Sequence, residues 1–147
     1  MTTTVQENIE KALLDRVVSL VLSPVLLVAW PNRPFPGKDS SGVAIAKPLT
    51  YLAVSILPNN NTRFLLDGSG PSMYQGILQI VVVSPLDKGT QTPTRIAGLV
   101  AEHFPADMAL FRGGTRVTLT KAPDVASPLK NDVSWDVPIS IYYEAFA

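Results

Sequence analysis

Hydrophobic side chains near the start of the chain recur with the spacing of an amphipathic helix. Four of them are separated by four, four and three residues: Ile9, Leu13, Val17 and Leu20. Charged residues take the opposite side of this pattern, so the segment 5–22 is predicted to be a helix that buries one apolar stripe. Thr4 and Glu7 stand three residues apart at its start, which is the spacing of a capping box.

Further along, apolar residues form short runs bounded by proline, glycine and asparagine, which is typical of β-strands. The predicted strands cover 25–30, 49–57, 62–66, 73–83, 108–111, 115–121 and 132–143. The run 73–83 is apolar on both of its sides, and a strand of this kind is usually covered on both faces. One cover would be the helices, and the other could be a neighbouring subunit.

The last predicted strand has the clearest alternation of apolar and polar residues. Six apolar residues stand at every second position: Val133, Trp135, Val137, Ile139, Ile141 and Tyr143. This period of two predicts one buried face and one open face. Pro138 cannot donate a backbone hydrogen bond, so it is predicted to lie at a bulge or in an edge strand.

A second helix is predicted to begin at Thr92-Pro93, with the threonine as its cap, and to end before Pro105. The segment 122–130 is predicted to be a loop. Two helices among strands joined by short turns indicate an α+β fold, in which a mostly antiparallel sheet with a β-hairpin packs against two helices. At 147 residues, the chain 1–147 is predicted to form a single domain.

One loop is a candidate for contact with a partner. The segment 31–42 is rich in proline, glycine and charged residues, and prolines make it stiff rather than flexible. Long loops in compact domains are often functional, so residues 33–42 of this loop and the arm 59–66 are predicted to face a partner. The candidate contact residues are Arg33, Phe35, Lys38, Asp39, Arg63 and Phe64.

Composition adds an expectation about assembly. Charged residues make up 16% of the chain, against about 25% in an ordinary soluble domain, and 12 basic residues balance 12 acidic ones. This deficit predicts that other copies or partner proteins cover part of the surface. The zero net charge argues against an electrostatic nucleic-acid binder. Pro24 interrupts the apolar run 17–32, which argues against a membrane helix, and the first residues lack the pattern of a secretory signal.

Candidate chemistry is sparse in this sequence. The chain has no cysteine and one histidine, which excludes thiolate chemistry and multi-histidine metal sites, so we predict no catalytic, cofactor-binding or metal-binding residues. The histidine, His103, lies near the end of the second predicted helix, where a cation is favourable. The alternative is a small hydrolase built around His103, although the Gly68-Ser69-Gly70 segment does not complete a nucleophile elbow.

Several segments spread over most of the chain form a pattern that resembles a known family. They are the first predicted helix, Val28-Ala29-Trp30-Pro31-Asn32, Tyr51-Leu52-Ala53-Val54, Tyr74-Gln75-Gly76-Ile77-Leu78-Gln79-Ile80-Val81-Val82, Glu102-His103-Phe104-Pro105 and Trp135-Asp136-Val137-Pro138-Ile139-Ser140-Ile141-Tyr142-Tyr143. The most specific parts are Tyr-x-Gly followed by two apolar residues and Gln, and the ending that runs from Trp135 to Tyr143. On these segments the chain resembles the tail terminator (tail completion) family of long-tailed bacteriophages.

The resemblance implies a structural protein of the virion that forms a homo-oligomer, a hexameric ring. Such rings cap the head-proximal end of the tail tube, stop polymerisation of the tail tube protein and offer a joining surface to the head connector or head-closure protein. Genomic DNA passes through the lumen without specific binding. The resemblance also implies assembly in the host cytoplasm, no membrane, no enzymatic activity and no cofactor. An alternative is another tail or neck component, such as a tube subunit or a head-closure protein.

Overall fold

The structure is a computed structural model, and it describes residues 4–22, 26–38, 40–44, 46, 48–59, 62–63 and 72–146. These residues form two helices, α1 (Val5–Val18) and α2 (Gln91–Glu102). The strands are β1 (Val28–Ala29), β2 (Tyr51–Pro58), β3 (Thr62–Arg63), β4 (Ser72–Ser84), β5 (Ala109–Arg112), β6 (Thr115–Leu119), β7 (Asp124–Val125), β8 (Leu129–Lys130) and β9 (Trp135–Phe146).

The strands form one sheet with the order β1-β2-β4-β9-β6-β5. The pairs along this path are antiparallel, except that β1 runs parallel to β2. The short strand β3 pairs with the beginning of β4, and β7 and β8 pair with β9 beside β6. The predicted α+β fold, a mostly antiparallel sheet against two helices with a β-hairpin, is therefore confirmed.

The core lies between the two helices and one face of the sheet. The apolar stripe of α1 is buried at Ile9, Leu13 and Val17, as its spacing predicted, and α2 contributes Ile96 and Val100. The sheet supplies every second residue of its two longest strands, since alternate side chains point to one face. These residues are Leu78, Ile80, Val82, Val137, Ile139 and Ile141.

Both helices differ from the prediction at one end. α1 begins as predicted, because the Thr4 hydroxyl accepts a hydrogen bond from the Glu7 amide at 3.2 Å, but it ends at Val18 rather than at residue 22. The hydroxyl of Ser19 donates to the carbonyl of Arg16 at 2.6 Å, an interaction that competes with further helical hydrogen bonds. α2 begins two residues earlier than predicted.

The N-cap of α2 is Thr90, so the prediction that Thr92 is the cap was wrong. Pro93 is the third helical residue rather than the first. Proline is tolerated there because the first amides of a helix have no partner within the helix. The sequence signal of proline in a first turn is therefore real, but it fixes the helix start only to within a turn.

The strand β9 corrects three expectations. Val133 precedes the strand and is 81% exposed, so it does not belong to the buried alternation. Pro138 lies opposite Val81 in an unbroken ladder with β4, so it is neither at a bulge nor in an edge strand. The carbonyl of Pro138 accepts a hydrogen bond from the Ala126 amide, so the position of the missing Pro138 amide is on the side of β9 that pairs with β7 and β8. That side of the ladder is interrupted between these two short strands. The segment 122–130, predicted as a loop, supplies these two short strands.

Candidate assembly surfaces

The face of the sheet that points away from the helices is the first candidate surface, and we call it the outer face. On β4, residues of even number such as Leu78 are buried against the helices. Four residues between them are half-buried on the other side: Ile77, Gln79, Val81 and Val83. The strand is therefore apolar on both sides, as predicted, but one side has no second layer among the described residues. Its cover by a neighbouring subunit stays a prediction.

The centre of the outer face carries no ionised side chain on the three strands with the longest ladders. The neighbours of the β4 residues across the ladders are Tyr51, Ala53, Ser55 and Leu57 on β2, and Asp136, Pro138, Ser140 and Tyr142 on β9. The acidic Asp136 is paired with Val83 at one end of this row, so only the centre is without charge. Hydroxyl, amide, aromatic and aliphatic groups thus share one surface. A surface of this kind is less costly to desolvate than a charged one, because neutral groups lose less hydration energy on burial.

Charged groups stand at the margin of the outer face. The Lys121 ammonium lies 3.0 Å from the Asp124 carboxylate and 4.5 Å from the centre of the Tyr142 ring. The hydrogen bond from Lys121 holds the pKa of the Asp124 carboxyl below its ordinary value, and the same hydrogen bond raises the pKa of Lys121. The pair neutralises itself, so this margin adds two polar groups without net charge.

The loop after β1 is the second candidate surface. The ring of Phe35 packs against that of Tyr51 with a centroid distance of 4.6 Å, and a bridge between Lys38 and Ala44 closes the loop. Phe35 is half-buried, whereas Arg33 and Lys38 are exposed. The loop is thus held in shape on the sheet while two cations point to solvent, which reduces the entropy lost on docking.

The other candidate contact residues lie partly or wholly outside the described residues. Asp39 and Phe64 are not among them, and neither is the Gly68-Ser69-Gly70 segment. Arg63 is described by its backbone, which pairs with Ser72 as part of β3. The predicted arm 59–66 is therefore seen where β3 joins the sheet, and its role as a contact stays a prediction.

His103 holds the ends of the two helices together. Its Nε2 atom lies 2.9 Å from the carbonyl oxygen of Arg16 and 2.9 Å from the hydroxyl of Ser19. A carbonyl oxygen only accepts, so Nε2 carries the proton. The Arg16 guanidinium in turn donates to the carbonyl of His103 at 2.8 and 3.0 Å. Because Nε2 is a donor here, His103 is not arranged to take a proton from Ser19, as a hydrolase would require.

Two segments that carried the resemblance meet in the sheet. Gly76 of β4 is paired with Tyr143 of β9. A methyl group at Gly76 would lie 2.6 Å from the Tyr143 hydroxyl oxygen and 2.7 Å from the Leu57 carbonyl oxygen. Glycine is therefore required, because three strands approach one another at this point with no space for a side chain. The Tyr-x-Gly segment and the tyrosine of the C-terminal segment are one packing unit.

Comparison with known proteins shows which family the chain belongs to. A family model described as phage tail terminator protein matches residues 8–143, which include both helices, the sheet and the Gly76–Tyr143 contact. The chain belongs to the phage tail terminator family. The family is structural and non-enzymatic, and it implies a component of the virion tail with a role in tail completion. The suspected family is therefore confirmed.

Solved structures share the fold of this chain. One of them has a TM-score of 0.73 with this chain at 24% sequence identity, and the similarity covers 95% of this chain and 94% of the other. This likeness concerns the fold alone. No curated protein matches the sequence. Among the residues that the structure describes, no helix has the length and apolar character needed to span a membrane.

Sequence reasoning missed two residues of this family member that the structure makes prominent. Phe111 of β5 is 72% exposed and Leu57 of β2 is 48% exposed. A signal for Phe111 was available, because Leu110 and Phe111 are consecutive in a strand and one of them must point outwards. No comparable signal marked Leu57, since its exposure depends on which strand lies beside it.

Proposed function

We propose that this chain is the tail terminator of a long-tailed phage and acts as a ring. Six copies would form a closed ring on the head-proximal end of the finished tail tube. The ring stops polymerisation because it pairs with the last layer of the tube and offers no template for a further one. Its other side is the joining surface for the head connector or head-closure protein. The match of the family model over residues 8–143 is the observation that carries the proposal.

The surfaces of the subunit support a role in assembly. The outer face has no ionised side chain at its centre, and the loop after β1 offers exposed Arg33 and Lys38 on a shaped scaffold. Such surfaces suit protein contacts, because neutral groups are desolvated at low cost and ordered loops lose little entropy. The zero net charge of the chain suits a lumen through which DNA slides without being held.

Electron microscopy of tubes tests the capping role. Purified protein is added to tubes assembled from the tail tube protein of the same phage, and the tube ends are counted with and without a cap. We expect a cap at one end of each tube and no further growth when free tube protein is supplied. Tubes that grow equally with and without the protein would contradict the proposal.

The same images distinguish the alternatives within the virion. A tube subunit polymerises into long cylinders by itself, whereas a terminator stops at closed rings. A head-closure protein would bind the connector and leave the tube uncapped. The mass of the free protein in solution gives the number of subunits, and a species near six times 15.8 kDa is expected at high concentration. On tubes, the cap should contain the same number of subunits.

The loop after β1 is proposed as a contact with the tube. Replacing Arg33 and Lys38 together by alanine removes two exposed cations and leaves the Phe35–Tyr51 contact in place. We expect the fraction of capped tubes to fall at a fixed protein concentration. A matched control is the double alanine variant of Lys88 and Arg95, which are also exposed but lie near the start of α2.

A further inference from the structure

The sheet ends in two edges that no described strand covers completely. At one end, no described strand pairs with the outer side of β5. At the other end, β1 is paired only with Leu52 and Ala53, so the second half of β2 has no neighbour there among the described residues. An uncovered edge is a template for another strand, because its backbone amides and carbonyls lack partners in the sheet.

The hydrogen-bond register identifies which groups of β5 point outwards. The Leu119 amide donates to the Met108 carbonyl at 2.9 Å, so this pair faces inwards between β5 and β6. The direction of the backbone amide and carbonyl alternates from residue to residue along an antiparallel ladder. The backbone groups of Leu110 and Arg112 therefore also point towards β6. The amides and carbonyls of Ala109 and Phe111 point away from the sheet.

The same reasoning applies to β2. The Asn59 amide donates to the Gln75 carbonyl at 2.9 Å, so the backbone groups of Asn59 and of every second residue before it point towards β4. Leu52, at the opposite parity, donates outwards to the Leu27 carbonyl at 3.0 Å, which agrees with this alternation. The amide and carbonyl of Ile56 therefore point outwards, beyond the end of β1.

Exposed apolar side chains mark the same two edges. Among the described side chains of the six strands in the main path, Phe111 and Leu57 are the large apolar ones that are exposed. Leu57 lies on the outer face of β2, and Phe111 lies on that face of β5 because its neighbour Leu110 pairs with buried Val117. Each edge thus offers backbone groups and one large hydrophobic residue on the same side of the sheet.

We propose that β5 of one copy of this chain adds beside the second half of β2 of the next copy, so that the sheets of neighbouring subunits are continuous. The inference rests on the proposed ring and identifies its joint. The occupant is a second copy because the two edges complement each other in backbone groups and in their apolar side chains. β5 contains no proline that would protect its edge. Pro58 lies at the end of β2 in an outward-facing position without an amide, so the joint uses the outward-facing groups before it, such as those of Ile56.

The topology makes this contact directional. β5 and β2 run in the same direction, because an even number of antiparallel pairings separates them: the four pairs β5–β6, β6–β9, β9–β4 and β4–β2. Two different edges of one chain form a head-to-tail contact, and such contacts close into rings when the rotation fits. Each copy then uses both of its edges, and no template is left at the circumference.

Cysteine crosslinking tests the joint directly, because the natural chain contains no cysteine. The variant with Leu57→Cys and Phe111→Cys is oxidised on capped tubes and resolved without reductant. Neighbouring strands lie within the distance that a disulfide spans, so we expect a ladder of linked copies that collapses on reduction. The variant with Ser55→Cys and Phe111→Cys covers a shift of two residues in register. The control variant carries Val21→Cys and Val133→Cys, which are exposed away from the two edges, and should give no ladder.

A proline variant tests the backbone part. Ala109→Pro removes an amide that points outwards and breaks no hydrogen bond within the sheet, so the subunit should fold and lose its rings. Thermal unfolding confirms folding of the variant, and the cysteine variants decide the matter if it does not fold. If the wild type caps tubes, and caps made of the Leu57→Cys/Phe111→Cys and Ser55→Cys/Phe111→Cys variants show no crosslink above the control, the joint is overturned and the proposed function stands. Wild-type protein that neither forms rings nor caps tubes overturns both.

Discussion

Single residues decide how closely the strands of this protein approach one another. Gly76 leaves room for the Tyr143 hydroxyl and the Leu57 carbonyl. Because it has no side chain, β2, β4 and β9 can approach one another closely at this point. Burial raises the pKa of the Tyr143 hydroxyl, because the phenolate would lose its hydration in this position. The contact therefore favours a neutral tyrosine that fills the space above the glycine.

Gly76→Ala is expected to destabilise the subunit. The added methyl group would meet one side-chain oxygen and one backbone oxygen, and backbone cannot move away without disturbing the sheet. Overpacking of this kind costs about 1–3 kcal/mol in the free energy of unfolding, which urea denaturation measures.

Gly98→Ala is the matched control for Gly76→Ala. Gly98 lies in α2, and a methyl group there meets no atom within 4 Å. Since alanine is favoured over glycine in helices by about 1 kcal/mol, this variant should be more stable than the wild type. Equal effects of the two substitutions would contradict the packing account of Gly76.

His103 predicts a dependence of stability on pH. Burial, opposed in part by its hydrogen bond to Arg16, lowers the pKa of this histidine from its ordinary value of 6.5. The unfolded chain then binds more protons than the folded one below pH 6.5, so the free energy of unfolding should fall as pH decreases from 7.5 to 5.5. Carboxyl groups with ordinary pKa values near 4 contribute little in this range.

His103→Gln is expected to remove this pH dependence. Glutamine keeps a hydrogen-bond donor near the Arg16 carbonyl but does not titrate. Urea denaturation of the wild type and the variant at both pH values measures the difference, and His103 is the only histidine in the chain. A slope that persists in the variant would show that another group carries it.

At the scale of elements, specific side chains attach the helices to the sheet. Asn8 is buried on α1, and its amide nitrogen donates to the Thr115 hydroxyl at 3.2 Å and to the Gly113 carbonyl at 3.4 Å. Gly113 and Gly114 both have positive φ angles and form the tight turn that was predicted between β5 and β6. The helix and the hairpin are thus joined at the turn that brings β5 to the edge of the sheet.

A double-mutant cycle measures this attachment. A methyl group at Gly113 would lie 2.7 Å from the Asn8 side-chain oxygen, so Gly113→Ala should cost more in the wild type than in the Asn8→Ala background. Contacting residues typically couple by about 0.5–3 kcal/mol, and the clash gives the expected sign. Additive effects would show that the cost of Gly113→Ala comes from its backbone alone.

Most elements were predictable, whereas their limits were not. The periodicities of Ile9 to Val17 and of Val137 to Tyr143 established the type of α1 and β9, because each period has one compatible secondary structure. The end of α1 depended on the Ser19 hydroxyl. α2 starts after Thr90, whose side chain makes no capping hydrogen bond, so no local signal separated Thr90 from Thr92. The position of Pro138 inside the sheet depended on the gap between β7 and β8, which no local pattern contains.

At the scale of the whole molecule, the first and last elements share one core. α1 packs on β5 and β6, and β9 pairs with β4 at the centre of the sheet, so distant parts of the chain depend on each other. The two tryptophans, Trp30 and Trp135, pack against this core from different regions. This arrangement supports the proposal that residues 1–147 form one domain.

Unfolding of the monomer is expected to be a single cooperative transition. Tryptophan fluorescence reports on Trp30 and Trp135, and far-ultraviolet circular dichroism reports on the helices and strands, so both signals should change at the same urea concentration. The dependence on urea should be about 1–3 kcal/mol per molar. Separate transitions would show that the chain contains two folding units.

The sequence by itself determined the layers, the family and the scarcity of charge. Periodicity assigns residues to a buried or an open face. The family pattern is readable in the sequence because it includes positions such as Gly76, where the packing admits glycine alone. The tertiary structure alone decided which strands lie at the edges and which apolar residues stay exposed. Leu57 and Phe111 look like core residues in the sequence, because exposure is set by neighbouring strands that are distant along the chain.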